Sequence, residues 1–328
     1  MNNPTNAHTP ATANRAPATP AAIRHERVTL ANGTTLQVRL SGPQPSHTTR
    51  VLLFVHGFPE AAFVWDALLA HFSQPAHGGF LCIAPNLRGF DDSDSPTDPK
   101  AYKPKYLVDD LACLIDHYSQ GPLAALIAHD WGGAVSWNLA SSRPELMRGL
   151  LIINAPHPAT LLRELQTNTA QQAASAYMNY LARDDAEQLL SANDFAKLWP
   201  FFNNDLDQTP KWLTEATKNQ YRDVWHKGLT GGCNYYRATP LRPATHSSDA
   251  IQHLDIPPDL GRVTLPTRVL WGLLDKALQP GLLTGLEHHV PQLTLQTVAN
   301  ASHWLVHEQP ELVIQNIDAL LAATHPHA

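Results

Sequence analysis

Cysteine is scarce in this chain of 328 residues: Cys82, Cys113 and Cys233 are all there is. Three scattered thiols make neither a disulfide framework nor a zinc-ligand spacing, so ordinary buried thiols in a reducing compartment are expected, and with them a cytoplasmic location. Charge is also sparse, at 16% of residues, with a net charge of −6 and no basic cluster. A nucleic-acid partner is therefore not expected. No apolar run approaches the ~20 residues of a membrane span, and the N-terminal stretch has no apolar segment of the kind a secretory signal needs. Residues 1–24 are mostly Ala, Thr, Pro and Asn, cannot bury apolar surface, and are expected to be a disordered extension. The 18 histidines are dispersed, and His288, His289, His325 and His327 read as surface residues. Neither a metal site nor a cofactor is expected.

What is present is 43% hydrophobic residues arranged in short runs, in a chain long enough for one large α/β domain with an insertion. Val28–Leu30 and Thr35–Leu40 flank an Ala-Asn-Gly hairpin signal. Val51–Val55 is apolar throughout, as expected of a parallel strand covered on both faces. Strands expected over Phe80–Ala84, Leu123–Ala128 and Arg148–Ile153 alternate with helical stretches over Phe63–Phe72, Tyr106–His117 and Ala134–Ser141. The pattern recurs in strand Thr267–Trp271, helix Pro280–His288, strand Leu293–Val298 and helix Pro310–Ala322. Between them the text is helical, polar and rich in aromatic residues. The expected class is α/β: a doubly wound, mostly parallel sheet in a core of residues 25–155 and 258–328, with a helical cap over 156–257. Homo-oligomerisation is compatible with this composition.

Ala128-His129-Asp130-Trp131-Gly132-Gly133 lies between an apolar strand run and a helical stretch, the context of a nucleophile elbow, where small residues permit a sharp bend. The nucleophile position holds a carboxylate. A serine there would form an acyl ester; an aspartate suits attack on saturated carbon, giving an alkyl ester that water can cleave. Asp130 thus points to epoxide opening or carbon–halogen cleavage. This architecture orders its parts nucleophile, acid, histidine. Asp275, after strand Thr267–Trp271, and His303, after strand Leu293–Val298, stand where the orienter and the base are expected. A lone Asp or His would ordinarily be a turn or surface residue; their places at successive strand ends give them weight. His56-Gly57-Phe58-Pro59 follows the first strong core strand, so the Phe58 and Trp131 N–H groups are the expected oxyanion-hole donors. Its tight turn is also where a cis proline occurs.

Over about Glu26 to Leu321 the chain resembles the epoxide hydrolases of the α/β-hydrolase fold. The matching text is HGFPE (56–60), APNLRGFDDSDSP (84–96), HDWGG (129–133), INAPHP (153–158), WGLLDKAL (271–278) and SHWLVHEQPE (302–311). It departs from the family at Ala128, usually Gly, and at Asn86, usually Asp. The resemblance implies two cap tyrosines that hold the epoxide oxygen. It places one in Asn234-Tyr235-Tyr236-Arg237, at Tyr236, and one in Ser175–Tyr180, at Tyr177, with Tyr180 as the alternative. A tyrosine hydroxyl is a neutral donor at pH 7. The expected substrate is a small apolar or aromatic epoxide, with water as the second reactant.

The same Asp nucleophile would serve a haloalkane or haloacetate dehalogenase, with the Trp131 indole cradling the halide. Fluoroacetate-type dehalogenases, however, resemble one another in an Arg directly after the nucleophile and a His-Trp pair in the lid, where this chain has Trp131 and Tyr177-Met178. A non-catalytic receptor on the same fold would be expected to have lost part of the triad or the oxyanion turn, and all of these are present.

Overall fold

The computed structural model describes residues 22–203, 208–257 and 261–324. Most of the expected extension, and His325 and His327, lie outside the described residues. Eight strands form one sheet in the order β1-β2-β4-β3-β5-β6-β7-β8. β1 (Arg24–Thr29) and β2 (Thr35–Ser41) are the hairpin, and β2 runs antiparallel to β4 (Leu81–Pro85). β3 (Val51–Val55), β5 (Ala125–His129), β6 (Leu150–Ile153), β7 (Thr267–Gly272) and β8 (Leu293–Val298) continue the sheet in parallel. Strands β3, β4, β5 and β6 are buried at every residue, which is why their text runs apolar rather than alternating.

Helices α1 (Asp66–Phe72), α2 (Pro104–Tyr118) and α3 (Trp131–Ser142) follow β3, β4 and β5. After β6 the chain leaves the sheet through α4 (Pro158–Thr167), α5 (Thr169–Ala174), α6 (Ala176–Leu181), α7 (Ala186–Phe195), α8 (Glu215–Trp225) and α9 (Thr230–Ala238), and returns to it at β7. α10 (Leu305–Glu308) and α11 (Pro310–Thr324) close the chain. Among the described residues, no helix is long and apolar enough to cross a membrane.

Three local readings are corrected. The expected helix Pro280–His288 is two 3-10 turns, Pro280–Leu283 and Leu286–His288, because Gly285 between them is left-handed at φ +74 and ends helical hydrogen bonding. The stretch from Phe63 to Phe72 opens as a 3-10 turn over Ala62–Trp65 before α1. His289 is half-buried rather than on the surface: its ring stacks on that of His157, with centroids 4.7 Å apart.

The inserted helices sit against the carboxyl ends of the strands, where a doubly wound sheet leaves its crevice. On α8 the Trp225 indole donates to the Pro59 carbonyl at 2.7 Å. On α9 the Tyr235 hydroxyl donates to the Arg88 carbonyl at 3.0 Å. Gly231 meets Gly89 so closely that a Cβ added to Gly231 would lie 2.2 Å from the Gly89 backbone. One continuous apolar cluster joins sheet residues such as Val55 and Leu126 to inserted residues such as Leu181 and Tyr221.

Candidate active site

Strand β5 delivers Asp130 into a bend between its last residue, His129, and the first residue of α3, Trp131. The backbone of Asp130 has φ +50 and ψ −123, a conformation costly for a side chain with a Cβ. The neighbourhood is shaped to hold it. Glycine is needed at 132, where a Cβ would lie 2.4 Å from the Val55 carbonyl oxygen, and at 57, where it would lie 2.2 Å from Asp130 Oδ1. The Phe58 N–H donates to Asp130 Oδ1 at 2.7 Å. Trp131 opens α3, where backbone N–H groups have no intrahelical acceptor. The Phe58–Pro59 peptide is cis. Asp130 Oδ2 faces His303 Nε2 at 3.6 Å.

Behind His303, its Nδ1 donates to Asp275 Oδ2 at 2.6 Å. Asp275 is held by three further donors: Asn154 Nδ2 at 2.8 Å, and the N–H groups of Ala277 at 2.8 Å and Leu278 at 2.9 Å. A carboxylate facing four donors is an acceptor only. Burial alone would strip the His303 ring of its extra proton; the ionised Asp275, then Asp130, outweigh burial and hold the ring's pKa well above the usual histidine range. Burial would likewise raise the Asp130 carboxyl, but His303 and the Phe58 N–H win and it lies below its ordinary value. The triad predicted from sequence is brought together.

Tyr177 and Tyr236 face Asp130 from α6 and α9, with ring centroids 6.0 Å apart. Two cavities meet here. One, about 690 Å³, runs between α3 and the inserted helices. The other, about 320 Å³, opens past Phe58, His303 and Trp304. Asp130, Tyr177 and Tyr236 are the residues that wall both. Burial, then the charges of Asp130 and Asp275, push the Tyr177 hydroxyl pKa far up; burial also raises that of Tyr236. Both therefore stay protonated donors. Tyr180 borders neither cavity, and its hydroxyl accepts from the exposed Lys197 ammonium at 3.1 Å. Tyr235 spends its hydroxyl on Arg88.

An elbow carboxylate facing a histidine held by a strand-end carboxylate, on this sheet order, invites comparison with known proteins. Residues 50–310 match the family model described as the alpha/beta hydrolase fold. The chain belongs to the α/β-hydrolase family. This α/β hydrolase is 33% identical over 289 residues to the AB hydrolase superfamily protein YfhM of Bacillus subtilis (strain 168), covering 87% of this chain and 94% of that one. A structure described under novel epoxide hydrolases in metagenomes from hot environments superposes with TM-score 0.77 at 32% identity, covering 92% and 99% of the two chains. The epoxide hydrolase of Bacillus megaterium, in complex with an inhibitor, gives TM-score 0.79 at 27% identity over 90% and 99%. Among α/β hydrolases, this one is epoxide-hydrolase-like.

Sequence reasoning left part of this hydrolase's site unseen. Asn154, at φ +40, caps the Gly272 N–H with Oδ1 at 3.0 Å while its amide holds Asp275. Only the INAPHP resemblance touched it. Glu60, His129, Tyr221 and His307 form a buried polar cluster under His303, and four residues so far apart in sequence leave no local signal. At Asn86, where the family has Asp, Oδ1 accepts from the Ala62 N–H at 2.7 Å and the amide donates to Asp91 at 2.7 Å. The amide also donates to the Gln37 side-chain oxygen, and both of these contacts need the donor that an aspartate lacks. Among the described residues no group of His, Cys, Asp or Glu is placed to hold a metal ion. Cys82, Cys113 and Cys233 are free, and burial holds the Cys233 thiol up at about 12.

Proposed function

We propose that this protein hydrolyses an epoxide to a vicinal diol through an alkyl ester of Asp130, with no cofactor. The observation that carries the reading is the facing of one carboxylate by two protonated tyrosines at the waist between two cavities. Asp130 Oδ2 attacks a ring carbon and the carbon–oxygen bond breaks. The ring oxygen, held by Tyr177 and Tyr236, takes a proton from one of them. Asp130 Oδ1, on the Phe58 N–H, becomes the ester carbonyl. Water then loses a proton to His303, oriented by Asp275, and attacks Cγ. The oxyanion develops where the Phe58 and Trp131 N–H groups can stabilise it. On collapse the leaving alkoxide takes the proton from His303 and departs as the diol, the second water proton passes from the regenerated carboxyl to the tyrosinate, and one water oxygen stays on Asp130. Residues 156–257 act as the cap, closing a mostly apolar cavity suited to an apolar or aromatic epoxide, over a core of residues 25–155 and 258–328. Three free thiols suit a cytoplasmic enzyme.

The test is one turnover in heavy-oxygen water. The diol should carry no label, and the peptide bearing Asp130 should carry one heavy oxygen. A diol labelled in that first turnover would replace the ester with direct attack by water. Halide release from bromoalkanes with no diol formed from any epoxide would assign the dehalogenase reading instead.

A further inference from the structure

The two cavities that meet at Asp130 differ in charge as well as in size. Among the described residues, the ionisable groups lining the cavity of about 320 Å³ are Lys197, Lys276 and His303 against the carboxylates of Asp130 and Asp275. Both carboxylates face the His303 ring, at 3.6 and 2.6 Å, so with that ring protonated the balance is positive. The cavity of about 690 Å³ has the opposite balance, with Lys105 and Arg143 against Asp109, Asp130 and Asp255. Arg143 is in addition paired with Glu145 at 2.6 Å.

Among the described residues neither lysine of the short cavity forms an ion pair. Lys197 is nevertheless held in place. Its ammonium donates to the Tyr180 hydroxyl at 3.1 Å and lies 5.4 Å from the centre of that ring, a neutral partner that fixes the charge without cancelling it. Asp185, whose carboxylate feels Lys197, is itself held by Arg183 at 2.6 Å. The chain reaches Lys197 through Asn193, Asp194 and Phe195, three consecutive residues at φ +53, +55 and +58, a conformation costly for any residue with a Cβ. Two clamps keep it there: Arg222 pairs with Asp194 at 2.9 Å, and the Trp199 indole donates to the Asp194 carbonyl at 2.8 Å. Strain maintained in this way gathers at ligand sites. Lys276 follows Asp275 directly, two residues after Leu274, which is 38% exposed and lines the same cavity.

We propose that the short cavity is a carboxylate subsite: the arm of the substrate that enters it runs past Phe201 and Trp304 and ends in a carboxylate met by Lys197 and Lys276, while an apolar arm takes the long cavity. The positive balance selects an acidic epoxide over its neutral counterpart and also orients it, since the same carboxylate in the long cavity would meet Asp109 and Asp255. Lys197 and Lys276 are specificity-determining residues and touch none of the reacting atoms. Their contribution is made when the substrate binds and belongs to KM.

This inference rests on the epoxide reading above, and its test has one arm that does not. The probes are glycidyl para-carboxyphenyl ether and its neutral carboxamide. The ratio of kcat/KM for the acid to that for the amide should fall about threefold in Lys197→Gln and in Lys276→Gln, and about tenfold in the double variant, the scale of partly exposed ion pairs. The change should lie in KM rather than kcat. Raising the salt from about 0.01 M to about 1 M should lower the same ratio in the unaltered protein and leave it flat in the double variant. The arm independent of turnover is calorimetric binding of the two corresponding diols, in which the acid should lose about tenfold in affinity relative to the amide in the double variant. A ratio unmoved by the double variant, whether both compounds are unaffected or both weaken together, would overturn the proposal in either arm. If the unaltered protein hydrolyses neither ether, the epoxide reading fails instead, and the diols still decide the subsite.

Discussion

At the scale of single residues, the chemistry depends on which of two similar groups faces the cavity. Asp130→Asn keeps the shape of the side chain and removes its nucleophilic charge; kcat/KM should fall by about 10³-fold or more, read with inhibitor-grade purity to exclude deamidated enzyme. Tyr177→Phe and Tyr236→Phe should each slow the alkylation burst by about 100-fold with an epoxide, since each removes one donor to the ring oxygen. Tyr180→Phe should change it little, because Tyr180 lines neither cavity and its hydroxyl is taken by the Lys197 ammonium. The pH dependence follows from the charges. In the resting site Asp275 and Asp130 both raise the His303 pKa. Forming the ester neutralises Asp130, so the His303 pKa falls in the intermediate. The acid limb of kcat should therefore lie at lower pH than the His303 titration seen by NMR in the free protein; coincident values would contradict the two-step scheme.

At the scale of elements, the elbow works because β3, β5 and α3 approach without side chains between them. Gly132→Ala would drive a Cβ to within 2.5 Å of both the Val55 and His56 carbonyl oxygens. α3 would have to back away from β3, with an expected loss of about 1–3 kcal/mol in denaturant unfolding and a loss of activity larger than that implies. The strand text was legible because strands covered on both faces must be apolar throughout, and Val51–Val55 and Leu150–Ile153 could bury in no other way. The Pro280–His288 stretch differs from the expected helix because the spacing of Leu282, Leu283 and Leu286 is equally served by two 3-10 turns. Gly285 settles that choice through a backbone angle that no spacing rule contains.

At the scale of the whole molecule, the inserted helices share their apolar cluster with the sheet. A fragment of residues 156–257 should consequently stay largely unfolded by circular dichroism, and the intact protein should unfold in a single calorimetric transition. Seating is aided by Lys227, whose ammonium lies 2.5 Å from both Asp91 and Asp92. These pairs are partly exposed, so Lys227→Ala should cost no more than about 1 kcal/mol. Gly231→Ala should cost more, because its Cβ would meet the Gly89 backbone directly and lift α9, with Tyr236, away from Asp130.

The chain by itself determined the sheet, the elbow, and the identities of Asp130, Asp275 and His303. Each of these is written locally, as an apolar run ending in a turn with a reactive side chain at its tip. Only the tertiary structure decided that Tyr177 rather than Tyr180 lines both cavities beside Asp130, that Asn154 holds Asp275, and that Glu60 gathers His129, His307 and Tyr221. Those choices depend on distances between segments far apart in sequence, and packing alone creates such distances.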